Sequence, residues 1–62
     1  SRRQKQILKL IASGCTSAEI AVKLEIAPLT VAAHRRELMR KLDLHSVADL
    51  TRFAIQERLL DD

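Results

Sequence analysis

The sequence predicts an all-α domain, four short helices containing a helix-turn-helix, on three observations. Aliphatic residues recur at helical spacing in four separate stretches, and no stretch alternates as a strand would. Of the 62 residues 47% are apolar, yet the chain holds one Phe and neither Trp nor Tyr, so its core must be built from Leu, Ile, Val and Ala. Only Glu25, Ile26 and Ala27 separate the second helical stretch from the third, a connection so short that the two helices must cross steeply.

The first helix is expected over about 3–13, where Ile7, Leu8, Leu10 and Ile11 form one stripe behind a basic start. Ser13 and Gly14 supply its stop, Gly14 being suited to the left-handed residue that follows a helix. Thr16 and Glu19 have capping-box spacing and open a second helix at 17–24, with Ile20, Ala21 and Leu24 on its buried side. Pro28 fits the first turn of a third helix at 28–42, where its missing N–H is not needed. Val31, Leu38 and Leu42 share that helix's inner face, and Asp43, one of the few residue types that tolerate the left-handed conformation, ends it. Ser46 with Asp49 repeats the cap pattern and begins a fourth helix at about 46–58.

The turn between helices two and three has internal checks. Ala21 is small enough to let the two helices approach, Ile26 is an apolar plug, and Val31 returns to the core. Glu25 stands where glycine is common, so a left-handed conformation there costs roughly 1 kcal/mol.

Residues 1–62 are expected to form one domain with a marginal core, since a chain this short buries only roughly 60% of its unfolded surface. No linker, repeat or low-complexity stretch divides it. Cys15 is the only cysteine, which excludes an internal disulfide and suggests a reducing compartment. No apolar run approaches a membrane span and nothing resembles a signal peptide, so the expected setting is soluble and cytoplasmic.

The net charge is only +3, but it is unevenly spread. Arg2, Arg3, Lys5 and Lys9 make residues 1–10 strongly basic, and Arg35, Arg36, Arg40 and Lys41 outweigh Glu37 in residues 34–41. Two basic patches in a chain otherwise net acidic suggest a polyanionic partner.

Projecting the third helix at ~100° per residue puts Leu29, Ala32, Ala33, Arg36 and Arg40 in one outward arc about 100° wide, opposite Val31, Leu38 and Leu42. A face selected only to stay in water would carry Glu, Lys or Gln at positions 32 and 33. Two methyl-sized side chains instead let the backbone approach another surface, and a DNA major groove ~12 Å wide admits one helix. Ala32 and Ala33 are then expected to contact bases, including thymine methyl groups, and Arg36 to pair with a guanine edge. Thr16 and Ser17 at the start of helix two, together with Thr30, Arg35, Arg40 and Lys41, are the expected backbone contacts.

The other polar residues suggest less. His34 lies at the border of the core and is expected to make a structural hydrogen bond rather than touch phosphate, and His45 is expected to be a turn residue. Two histidines and one cysteine spread over three elements have no metal-site spacing. No nucleophile and base, glycine-rich phosphate loop or carboxylate pair is present, so neither an enzyme nor a cofactor is expected.

The stretches ILKLIASG, EIAVKLEI, TVAAHRRELMRKL and LHSVADLTRFAI resemble, in order and spacing, the LuxR-type DNA-binding domain at the C-terminus of NarL/FixJ response regulators and quorum-sensing regulators. The resemblance implies a four-helix domain whose third helix enters the major groove and whose fourth mediates dimerisation. It also implies an N-terminal receiver or ligand-binding domain in a longer parent chain, of which this sequence would be the excised C-terminal module. The sequence departs from the family pattern at four places. Gln4 replaces Glu, turning any buried ion pair there into a neutral hydrogen bond, and Ala27 replaces the Ser or Thr that caps the third helix, at a cost of ~1 kcal/mol. Asp43 replaces Gly, and Val47 replaces Arg.

On helix four, Phe53, Leu50, Ala54, Val47, Thr51, Ile55 and Ala48 span more than half the circumference, too much to bury against so small a domain. Val47 and Thr51 are therefore expected to meet a second copy in a homodimer on double-stranded DNA. Two other readings compete with this one. One is a domain like region four of a sigma factor, and the other a helical interaction module whose basic face binds an acidic protein.

Overall fold

The computed structural model of the chain describes residues 1–57, which form α1 (Arg2–Ala12), α2 (Ser17–Leu24), α3 (Pro28–Leu42) and α4 (Val47–Gln56). The described residues contain no strand. α2 and α3 occupy their expected ranges, while α1 begins and ends one residue earlier than expected. Its N-cap is Ser1, whose hydroxyl accepts from the Gln4 N–H at 3.1 Å, and Ser13 is its C-cap. Ser46 likewise caps α4 instead of opening it, accepting from the Asp49 N–H at 3.1 Å. α4 ends at Gln56 with Glu57 as its cap, and the expected end at 58 lies outside the described residues.

Three helices stop in the same way. After α1, α2 and α3 the residue past the helix has positive φ: Gly14 at 94°, Glu25 at 56° and Asp43 at 55°. Each helix closes with the 6→1 and 5→2 hydrogen bonds of a Schellman motif. The outer bonds run from the Cys15, Ile26 and Leu44 N–H groups to the carbonyls of Leu10, Ala21 and Met39, at 3.0, 3.0 and 2.9 Å. Cys15, Ile26 and Leu44 then fold back against the core. The motif thus satisfies terminal carbonyls and seats an apolar plug under each turn.

The helix starts are less uniform. Thr16 and Glu19 make the full capping box on α2: the Thr16 hydroxyl accepts from the Glu19 N–H at 3.1 Å, and the Glu19 carboxylate accepts from the Thr16 N–H at 2.8 Å. α3 has Ala27 at its N-cap with no side-chain hydrogen bond, and relies on Pro28 to preset the first turn.

Each helix gives one large, fully buried side chain to a common centre, Ile7, Ile20, Val31 and Leu50, all 0% exposed, and α4 adds the equally buried Ala54. Burial of such large side chains stabilises by roughly 1.5–3 kcal/mol apiece. α1 packs against α4 and α3, and α2 packs mainly against α3. Ala21, 4% exposed, keeps the α2–α3 crossing close. The three-residue turn and this contact hold α3 so that one face is buried and the opposite face open.

Candidate nucleic-acid interface

The open face of α3 carries the row read from the sequence. Val31 and Leu38 are buried, and on the opposite side Leu29, Ala33, Arg36 and Arg40 are exposed. Ala32, at the edge of the arc, is half-buried, and Thr30 is exposed near the helix start. Among the described residues Arg36 has no hydrogen-bond or ion-pair partner, so its guanidinium is available to an outside acceptor.

Arg40 is held differently. Its Nε and a terminal nitrogen donate to the two carboxylate oxygens of Glu37 at 3.1 and 2.7 Å, a bidentate pair one helical turn long. This hydrogen bond holds the Glu37 carboxyl below its ordinary pKa and raises that of Arg40. The signal lay in the sequence, since residues three apart share a helix face, but the pair adds an acidic member to a face expected to be basic.

Arg35 turns away from the outward row. It is half-buried, and its guanidinium donates to the Ser17 hydroxyl across the α2–α3 crossing. Two expected backbone contacts are therefore joined at the start of α2, beside Thr16. Thr16 accepts from the Glu19 N–H in the capping box and still has a hydroxyl proton to donate. No sequence spacing points to the Arg35–Ser17 contact, because the helix crossing brings together residues 18 apart.

Lys41 leans to the other side and donates from Nζ to the Gln4 Oε1 at 3.2 Å. The bond is exposed and its donor is a charged ammonium, so it is not the buried neutral hydrogen bond expected at Gln4. Through it Lys41, at the end of α3, meets the basic stretch at the start of α1. Of the histidines, His45 is exposed in its turn with Nε2 3.5 Å from the Asp43 carboxylate. His34 is half-buried and makes no hydrogen bond to another described residue, so the structural bond expected of it is not formed.

α4 presents a separate apolar strip. Val47 is 46% and Ile55 52% exposed, Ala48 is exposed, and Thr51 is half-buried with its hydroxyl donating to the Val47 carbonyl at 3.0 Å. Leu50 and Ala54 face inward. Val47 and Thr51 border the same depression as Thr16, Ser17 and Arg35, so the strip adjoins the start of α2. No helix among the described residues is long and apolar enough to cross a membrane.

The arrangement suits recognition of a polyanion with a readable edge: a helix face with small side chains, an arginine with no partner among the described residues, and flanking basic and hydroxyl groups. Comparison with known proteins agrees. The profile of the family described as bacterial regulatory proteins, luxR family, matches residues 1–54. The chain is 44% identical over 61 residues to the oxygen regulatory protein NreC of Staphylococcus haemolyticus, and equally to that of Staphylococcus carnosus. Identity to the Staphylococcus aureus protein of that name is 43%. Each match covers 98% of this chain and 28% of the relative, so the chain spans less than a third of the curated relatives it matches. No solved structure matches at a significant level.

Proposed function

This chain belongs to the luxR family of bacterial regulatory proteins, and from that premise we propose that it binds double-stranded DNA sequence-specifically as part of a transcriptional regulator, with α3 in the major groove. The observation that carries the reading is the exposed row on α3, Leu29, Ala33, Arg36 and Arg40, directly opposite the buried Val31 and Leu38. Ala32 and Ala33 admit the helix to the groove, and Arg36, without a partner among the described residues, pairs with a guanine edge. Thr16, Ser17, Thr30, Arg35, Arg40 and Lys41 position the domain on phosphates.

Two copies bind adjacent half-sites through Val47 and Thr51 of α4, which form a two-fold contact. The parent chain carries an N-terminal receiver or ligand-binding domain that controls this, as in a cytoplasmic response regulator. Its chemistry is recognition and not catalysis. The similarity to the three staphylococcal regulators supports the regulatory role.

A mobility-shift titration with duplex DNA tests the proposal. Log affinity falls linearly with log salt, with a slope near −0.9 per phosphate contacted. Affinity independent of salt, or binding to an acidic protein but not to duplex DNA, overturns it.

A further inference from the structure

Leu29 is 84% exposed, more so than any other large apolar side chain among the described residues. It sits at the second position of α3, and Ala33, Arg36 and Arg40 continue its row at steps of four, three and four residues. At ~100° per residue the four lie within about 60° of one another, directly opposite Val31 and Leu38. Leu29 contributes nothing to the core, and it has neither donor nor acceptor for a phosphate or a polar base edge. The groove this face would enter presents donors, acceptors and a single kind of apolar group, the thymine 5-methyl. A leucine pressed on any other edge would strip water from polar atoms and return nothing.

We propose that Leu29 is a specificity-determining residue that reads the 5-methyl group of a thymine. The proposal rests on the DNA-binding reading above and sharpens it by fixing a spacing. Leu29 and Arg36 are seven residues apart, roughly 10.5 Å along the helix axis at ~1.5 Å per residue. With ~3.4 Å between base pairs, and α3 lying along the groove, the thymine stands about three base pairs from the guanine that Arg36 reads.

The test begins with selection of the preferred site by the 62-residue chain from random duplexes. Each thymine of that site is then replaced singly by uracil, which removes only the methyl group. One thymine, about three base pairs from a guanine, becomes sensitive: its uracil duplex binds about three- to tenfold more weakly to the unaltered chain. Leu29→Ala, with unchanged far-ultraviolet circular dichroism, binds the thymine and uracil duplexes alike, at the affinity of the unaltered chain for the uracil duplex. Leu29→Gln, which keeps length and loses the apolar end, behaves as Leu29→Ala does. Enrichment of a site at which no uracil replacement weakens binding overturns the role of Leu29 alone. So does a site at which every sensitive thymine stays equally sensitive in both variants. Failure to enrich any sequence overturns the DNA-reading role and this inference together.

Discussion

Glu25→Gly, Asp43→Gly and Gly14→Ala change the same structural position, the positive-φ residue after a helix, and should differ in sign. Holding a non-glycine residue left-handed costs roughly 1–2 kcal/mol, and introducing glycine costs about 0.4–1 kcal/mol through the greater freedom of the unfolded chain. At Glu25, with φ 56° and ψ 46°, the difference leaves a net gain of about 0.5–1 kcal/mol for glycine. Asp43, at φ 55° and ψ 44°, gains less, because aspartate tolerates this region better. Gly14 has φ 94° and nothing within 4 Å of where a Cβ would stand, so Gly14→Ala has no steric clash to confound it. It should lose about 0.5–1 kcal/mol from the backbone alone. A domain of this size has only ~3–9 kcal/mol in total, and 1 kcal/mol moves Tm by about 4–8 °C. Thermal melts followed by circular dichroism should therefore rise by about 2–8 °C for Glu25→Gly and fall by a similar amount for Gly14→Ala. A fall for Glu25→Gly, or no change for Gly14→Ala, would refute the assignment of backbone strain to these turns.

The remaining predictions concern binding, assembly and pH. Arg36→Ala should cost about 1–3 kcal/mol on the preferred duplex and relax selection at one base pair. Arg40→Ala should weaken all sequences alike and lower the salt slope by about one. Glu37→Gln, which frees Arg40 without adding a phosphate contact, should tighten binding to all sequences while leaving that slope nearly unchanged, and the double variant Glu37→Gln, Arg40→Ala should show the same lowered slope as Arg40→Ala, all read from binding titrations at several salt concentrations. Val47→Glu should abolish cooperative occupation of a two-half-site duplex while leaving the melt and half-site binding intact, and unchanged cooperativity would remove α4 from the contact. The Thr16 N–H holds the Glu19 carboxyl below its ordinary pKa of 4.5, and the Arg40 guanidinium does the same for Glu37. Their stabilisation is present above that value and is lost as pH falls through the lowered ones, so Tm should drop in acid, less steeply in Glu19→Gln.

The fold was legible because its signals are local. Periodicity marked the buried stripes, and Thr16, Glu19 and Ser46 marked helix starts. Gly14 and Asp43 marked helix ends, and the three-residue turn carrying Glu25 forced the α2–α3 crossing. The one-residue offsets at α1 and at the start of α4 come from capping serines: Ser13 and Ser46 cap helices that they were expected to extend, and Ser1 caps α1 one residue ahead of its expected start. The outward row on α3 was legible for the same reason, a single helix having a single period. The contacts between elements were hidden. Arg35–Ser17 and Lys41–Gln4 join residues 18 and 37 apart, and their meeting depends on crossing angles that no spacing encodes. Glu37–Arg40 was within reach of the i, i+3 rule, but a projection that sorts residues only into inward and outward does not report how neighbours pair.

Dimethyl sulfate footprinting on the selected duplex distinguishes α3 in the major groove from any other docking of the domain. The reagent methylates guanine N7, which lies in the major groove, and adenine N3, which lies in the minor groove. The bound chain should shield N7 of the guanine read by Arg36 and leave adenine N3 positions in the site reactive, and Arg36→Ala should restore N7 reactivity at that guanine. Protection of adenine N3 with guanine N7 left open would contradict this docking, because the helix would then not be in the major groove.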